Sequence, residues 1–243
     1  DIAAGLEADG IKSGTGATKW YKTTVIGILK NEKHMGDALL QKTYTADFMT
    51  KRQVRNNGEV AQVYITDDHE AIIDRETWEA VQEEFKRREE FMARHNLKIY
   101  THASGNTPFT CRVFCGTCGK SYMRHIWKRR GITQWQCSGH RKDGRLLCRN
   151  DFVDEQDLMR GFVKAYNKLM SSKRKLKEWR RLADTGTPLQ RVRGRQMIEL
   201  AAEKPLSAAV DDLIRLVVLE VTVHSGREFT FAFMDGSQVR VQL

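Results

Sequence analysis

All five cysteines of this 243-residue chain fall between Cys111 and Cys148, a window of 38 positions. A disulfide framework spreads its cysteines over a small secreted domain, so this crowding points to a thiolate metal site instead. Cys115-Gly-Thr-Cys118-Gly is a C-x2-C-G knuckle. Its short turn lets two thiolates face one ion, and the glycine accepts a tight backbone conformation. Cys137 and Cys148, with ten residues between them, supply a second pair. Tetrahedral zinc wants four soft ligands, and Cys115, Cys118, Cys137 and Cys148 close such a site with no open position. One structural Zn2+ is therefore expected, with Cys111 left over beside Phe114. His125 and His140 compete for a ligand position, and reduced cysteines without metal are the bland alternative.

Between the two pairs, Ser121 to Trp127 and Ile132 to Cys137 flank the polar turn Lys128-Arg-Arg-Gly131. That is the pattern of a hairpin, and a hairpin pinned by zinc is a zinc β-ribbon with a basic tip. Charge is concentrated in the same place. The whole chain carries 41 Lys+Arg against 31 Asp+Glu, a net +10; residues 111–150 hold ten basic side chains against Asp143 alone, a net +9. Such a patch favours nucleic acid over mere solubilisation. Arg124, Lys128, Arg129, Arg130, Arg141, Lys142 and Arg145 are candidate contacts to phosphates or base edges, with Trp127 and Trp135 packed beside them. No apolar run approaches the roughly 20 residues of a membrane helix, and no signal peptide is visible in the sequence from Asp1 onward. A cytoplasmic protein without a small-molecule substrate is expected, possessing no membrane partner and representing part of a longer chain.

The chain ahead of the ribbon reads as a separate domain. Ile2, Ala3 and Leu6 mark a short helix closed at Gly10, and Val25, Ile26, Ile28 and Leu29 mark a second. The pair resembles a helix-turn-helix in which Lys22, Thr23, Thr24 and Lys30 face DNA. Strands are expected at 36–42 and 60–66, with a mobile basic connection carrying Lys51, Arg52 and Arg55. Asp74 is the N-cap of an amphipathic helix bearing Trp78, Val81 and Phe85. Residues 88–108 read as helix end plus linker. His69-Glu70 has no serine, cysteine or second histidine at a spacing that completes a triad or metal centre, so a structural turn is expected there.

Beyond the ribbon, Leu158, Phe162, Tyr166 and Leu169 mark a helix whose apolar side Trp179 extends. Thr187-Pro188 starts another with Val192, Met197 and Leu200, and a third runs through Val210, Leu213, Ile214 and Val217. Val221 to Leu243 alternates in three strands across turns at Ser225-Gly226 and Asp235-Gly236. The basic run Lys173–Arg181 is equally a DNA-facing helix or a solvated one, and no heptad repeat is sustained long enough for a coiled coil. The fold class is α+β: a helix-turn-helix-like mixed α/β domain (1–95), a linker (96–110), and a zinc β-ribbon domain (111–243). The last holds appended helices over 154–220 and a C-terminal antiparallel sheet over 221–243.

Several of these segments together resemble the large serine recombinases, the phage integrases and mobile-element transposases of the resolvase/invertase group. Ile2-Ala-Ala-Gly-Leu6, Gly10-Ile-Lys-Ser-Gly14, Trp20, Val25-Ile-Gly-Ile-Leu-Lys-Asn31, Gly36, Asn57-Gly-Glu59 and His69-Glu-Ala-Ile-Ile-Asp74 look like their recombinase domain in order and spacing. Cys115-Gly-Thr-Cys118-Gly, Trp135-Gln-Cys137 and Cys148 look like their zinc ribbon. The resemblance implies a double-stranded attachment site and other recombinase subunits as partners. It also implies that a separate N-terminal domain supplies the serine that attacks DNA through a phosphoserine intermediate. None of the serines here sits in that motif, so the chain by itself is expected to be catalytically silent. The recombinase domain would read the half-site nearer the crossover, and the ribbon the outer half. The alternatives are an RNA-binding or transcription-associated ribbon, a scaffold for acidic partners, and an enzyme pairing Cys111 with His125.

Overall fold

The computed structural model describes residues 2–97, 107–142, 145–146 and 148–243, with the backbone alone at Arg130, Arg141, Lys142, Arg145 and Leu146. The chain divides into two units, Asp1–Phe85 and Lys86–Leu243. Most of the expected linker, residues 98–106, lies outside the described residues.

In the first unit, α1 (Ile2–Ala8) and α2 (Lys22–Leu29) form the expected helix pair. Their connection is longer than a tight turn. Trp20 pins it, donating its backbone N–H to Glu7 Oε1 and its indole N–H to the Ile11 carbonyl, both at 2.7 Å. Four strands follow: β1 (Ala38–Leu40), β2 (Thr43–Asp47), β3 (Arg52–Arg55) and β4 (Val63–Ile65). β1 and β4 pair antiparallel, Ala38 against Ile65, at the positions expected from sequence. β2 and β3 form a hairpin between them, where a mobile connection was expected. Thr43, Tyr44 and Thr45 supply strand-favouring side chains that the surrounding basic residues obscured. Buried Asn56 closes the base of this hairpin, donating to the Gln41 and Val60 carbonyls and accepting from the Gly58 and Val60 amides.

The long helix α3 (Arg75–Arg94) starts where Asp74 Oδ1 accepts from the Thr77 amide, and it extends past the expected break near Arg88. Arg75 reaches back from its first turn to fully buried Asp37 in a two-pronged ion pair of 2.7 and 2.9 Å. The Tyr64 hydroxyl and the Asp67 amide donate to the same carboxylate. These donors, the Arg75 guanidinium first, hold the Asp37 carboxyl far below the usual range. His69 is structural, as expected. Its Nε2 lies 2.7 Å from the Lys33 carbonyl, and its amide donates to the Gly36 carbonyl.

The second unit is built on a three-stranded and a four-stranded sheet, with one further pair of two-residue strands. The ribbon strands β5 (Val113–Cys115), β6 (Tyr122–Trp127) and β7 (Ile132–Cys137) are followed by three two-residue strands: β8 (Arg141–Lys142), β9 (Arg145–Leu146) and β10 (Val153–Asp154). β6 and β7 pair antiparallel, and β10 adds to β7 with Val153 opposite Trp135. Helices α4 (Glu155–Met170), α5 (Lys173–Thr185), α6 (Pro188–Ala201) and α7 (Asp211–Val217) come next. The strands β11 (Val218–His224), β12 (Glu228–Phe233) and β13 (Gln238–Gln242) complete the chain. The second sheet has the order β13-β12-β11-β5, and β5 runs parallel to β11 with Cys115 opposite Val223. The knuckle is thereby rooted in the C-terminal sheet.

Alternation along β12 buries Phe229, Phe231 and Phe233 completely. Burial at Leu158, Phe162, Ala165, Tyr166 and Leu169 follows the helical period of α4. Gly161 lets this helix approach the sheet, since a Cβ there would lie 3.2 Å from the Phe231 ring. Trp179 does not extend α4: the chain breaks at Ser172, whose side chain caps α5, and Trp179 is fully buried on that second helix. Its indole N–H donates to Asp235 Oδ2 at 2.7 Å. The helix α6 opens with a reciprocal capping box between Thr187 and Gln190, with Pro188 in the first turn. It crosses α5 at Gly194, where a Cβ would sit 2.9 Å from the Trp179 carbonyl. α5 and α6 span 13 and 14 residues, short of three heptads.

Candidate metal centre and nucleic-acid interface

The knuckle turn after β5 brings Cys115 and Cys118 together. The end of β7 presents Cys137, and Cys148 follows the short β8–β9 pairing. The four sulfurs all lie within 4.8 Å of one another. Cys115 Sγ is 3.6 Å from Cys148 Sγ, and Cys118 Sγ is 3.3 Å from Cys137 Sγ. A tetrahedron of thiolates about 2.3 Å from a metal ion has sulfur–sulfur edges of about 3.8 Å, so the donor set fits such an ion. Neither His125 nor His140 joins the group among the described residues. The His140 ring instead packs edge-on to Phe152. Cys111 stands apart, with burial pushing its thiol up.

The backbone around the sulfurs is arranged as donors. Gly119 takes a left-handed φ of 71° and donates to the Cys115 carbonyl at 2.8 Å, closing the knuckle as the C-x2-C-G pattern requires. Burial pushes the Cys115 thiol up, but amides of the knuckle and the Asn150 side chain outweigh it and bring it to about 6. Burial and the Cys118 thiol push Cys137 up. Cys148 is pushed up as well, so one thiol poised for ionisation stands beside two that are held back, and a divalent cation would stabilise the ligand set as thiolates.

The basic candidates occupy three regions. At the ribbon tip Lys128 and Arg129 are exposed, on a single turn closed by Gly131 with φ 62°. Trp127 beside them is half exposed, whereas Trp135 is buried in the ribbon core and does not flank the tip. The side chains of Arg130, Arg141, Lys142 and Arg145 lie outside the described ones. On the first unit, Lys22, Thr23 and Thr24 form the exposed opening of α2. Lys30 closes the same helix, its ammonium 5.1 Å from the centre of the Phe85 ring. Lys51, Arg52 and Arg55 are exposed on the β2–β3 hairpin. Arg124 differs from the rest. Its guanidinium forks onto Glu155 with contacts of 2.7 to 3.1 Å and is largely covered, tying β6 to the start of α4.

Residues 1–88 match the family model of the recombinase domain, and residues 108–167 match the recombinase zinc beta ribbon domain. The chain belongs to the recombinase family. Among solved structures it is similar to a chain in the crystal structure of an LSR–DNA complex, at 15% identity and a TM-score of 0.48, covering 96% of this chain and 78% of that one. It is also similar to a chain from a structure concerned with sequence requirements of the Listeria innocua prophage attP site, at 13% identity and a TM-score of 0.40. There the coverage is 96% of this chain and 80% of the other. No curated protein matches it.

Two positioning residues of this recombinase chain escape a reading of ligand spacing alone. Buried Asn150 donates its side-chain amide to Cys115 Sγ at 3.2 Å and to the Val223 carbonyl at 2.9 Å, joining the sulfur cluster to β11. Gly139 donates its amide to Cys137 Sγ, and a Cβ there would press on Cys118 Sγ at 3.2 Å. A signal for both exists. Gly139 and Asn150 each follow a cysteine by two residues, where a hydrogen-bond donor to a ligating sulfur is needed.

Proposed function

We propose that this chain is the DNA-binding part of a serine site-specific recombinase, an integrase or transposase, and that it places the enzyme on its duplex attachment site. The observation that carries the reading is the four-sulfur centre at the root of a ribbon with an exposed basic tip, in a chain with both recombinase domains. Cys115, Cys118, Cys137 and Cys148 would hold one structural Zn2+, which supplies charge neutralisation and a cross-link among β5, β7 and the segment after β9. Lys128 and Arg129, with Arg130, Arg141, Lys142 and Arg145, form one contact surface. Lys22, Thr23, Thr24, Lys51, Arg52 and Arg55 form another on the recombinase domain. Phosphate contacts by these cations supply most of the affinity, and two surfaces on one chain set the register. Arg124 serves the ribbon through Glu155, and Lys30 serves the helix face through Phe85. On this reading strand cleavage belongs to a serine outside this chain, the partners are DNA and other recombinase subunits, and the setting is the cytoplasm of a bacterial host.

Selection from a random duplex library, with zinc present and near-physiological salt, tests this. Two separated information-rich blocks are expected. Binding without any motif, or tighter binding to single strands or RNA, would overturn the attachment-site reading.

A further inference from the structure

The β2–β3 hairpin carries a feature that electrostatic contact with phosphates does not use. Its tip residues, Phe48 and Met49, are 85% and 86% exposed, the two most exposed large apolar side chains among the described residues. Nothing in the core of the first unit accounts for them. A solvated loop gains nothing from two adjacent large apolar groups, and a packed loop would cover them.

The loop that presents them is rigidly built. Asp47 Oδ1 accepts from the Met49 amide at 2.9 Å, and Oδ2 accepts from the Thr50 hydroxyl at 2.7 Å. Lys51 takes a left-handed φ of 51°, and the register slips between Thr45 and Asp47, a bulge that twists the ribbon. At the base, buried Asn56 fastens the hairpin to the connecting segments on either side, at the Gln41 and Val60 carbonyls. Tip and base are thus both fixed by side-chain hydrogen bonds, so the apolar pair is held outward at little entropic cost on binding.

The surroundings select the kind of partner. Lys51 ends the tip turn, Arg52 and Arg55 stand on the returning strand, and no ion-pair partner engages any of the three among the described residues. The acid nearest the tip, Asp47, has both oxygens committed to the turn. An apolar tip backed by three uncommitted cations fits a surface that is anionic outside and stacked and apolar within. Duplex DNA has that layering, and proteins that enter its minor groove insert Phe or Met between base steps while cations hold the flanking phosphates.

We propose that the β2–β3 hairpin is a minor-groove wedge: Phe48 and Met49 enter at a base step, unstack it and kink the duplex, while Lys51, Arg52 and Arg55 hold the adjoining backbone. This rests on the DNA-binding reading above and adds deformation to it. Readout of this kind gives sequence preference for easily unstacked steps without a hydrogen bond to any base.

The test uses the whole chain and the duplex recovered by the library selection, with 2-aminopurine placed at successive positions and a donor–acceptor dye pair at the ends. Wild type is expected to brighten 2-aminopurine at one step and to shorten the end-to-end distance. Phe48→Ala/Met49→Ala should lose both signals and leave the salt dependence of binding unchanged. Lys51→Gln/Arg52→Gln/Arg55→Gln should flatten that dependence, by roughly 0.9 in slope for each phosphate no longer neutralised. The tip side chains are outside the core, so urea unfolding of the alanine pair should match wild type. Recovery of a duplex that is neither unstacked nor bent by wild type would sink the wedge alone, whereas recovery of no duplex would sink the DNA-binding reading with it. A concentration-dependent self-association abolished by the alanine pair, with the bend intact, would assign the tip to a second copy and overturn the proposal.

Discussion

Removing the Asn150 side-chain amide should loosen the metal centre without removing a ligand. In Asn150→Ala, Cys115 Sγ loses a donor at 3.2 Å, and the Val223 carbonyl loses one at 2.9 Å. The carbonyl keeps the Gly116 amide at 2.8 Å, so the change falls mainly on the sulfur. A hydrogen bond to a charged acceptor contributes about 1.5–3 kcal/mol. At about 1.4 kcal/mol per factor of ten, that corresponds to roughly 10- to 100-fold weaker metal binding, the range typical of groups that hydrogen-bond to metal ligands. Competition for Zn2+ against a chromophoric chelator at fixed pH measures it directly, with wild type and Cys111→Ser as references. Cys111→Ser is expected to bind as wild type does. Metal affinity unchanged in Asn150→Ala would refute the idea that this amide sets the sulfur's charge state.

Cys118→Ser should lose the metal and unfold the ribbon over residues 111–150, while Cys111→Ser retains both; equal metal content in the two variants would sink the ligand assignment. Trp179→Ala removes a fully buried indole and its bond to Asp235, and should destabilise the second unit by about 3–5 kcal/mol in urea unfolding. A loss below about 1 kcal/mol would show that α5 is not anchored there. Asp37 is held below the usual carboxylate range, chiefly by Arg75. A lowered folded-state pKa stabilises above the unfolded value and is lost as pH falls through the folded one. The first unit should therefore weaken only as pH drops below the ordinary carboxylate range. Asp37→Asn should be less stable at neutral pH and flatter across that acid window. Parallel curves for the two proteins would remove Asp37 as the cause.

Much of the metal centre was legible because ligand chemistry leaves a local trace: thiolates must come in pairs on short turns, and Gly119 must follow Cys118 to let the turn close. The β6–β7 hairpin was legible for a similar reason, since apolar alternation and Lys128-Arg-Arg-Gly131 specify strand, turn and strand without distant help. The capping box at Thr187 and Gln190 is another local signal. What was missed involved pairings between distant residues. The β2–β3 hairpin was hidden because its stabilising partner, Asn56, reads as polar loop until it is seen bridging Gln41 and Val60. Arg124 read as one more cation on a basic ribbon until Glu155, 31 residues on, took up its guanidinium. Trp179 matched the helical period of α4 but belongs to α5, because Ser172 offers a cap whose use depends on how the second helix packs.

Composition and spacing alone set the chemistry available to this chain: four thiolates for one soft ion and a cationic excess concentrated on one ribbon. Local geometry and charge make those features binding from the outset. Which cations stay free and which are consumed, that β5 joins the C-terminal sheet beside β11, and that Phe48 and Met49 stand in solvent were settled by the folded arrangement. Ion pairing, parallel strand pairing and exposure depend on what lies opposite across the fold, and no periodicity along the chain encodes the far partner.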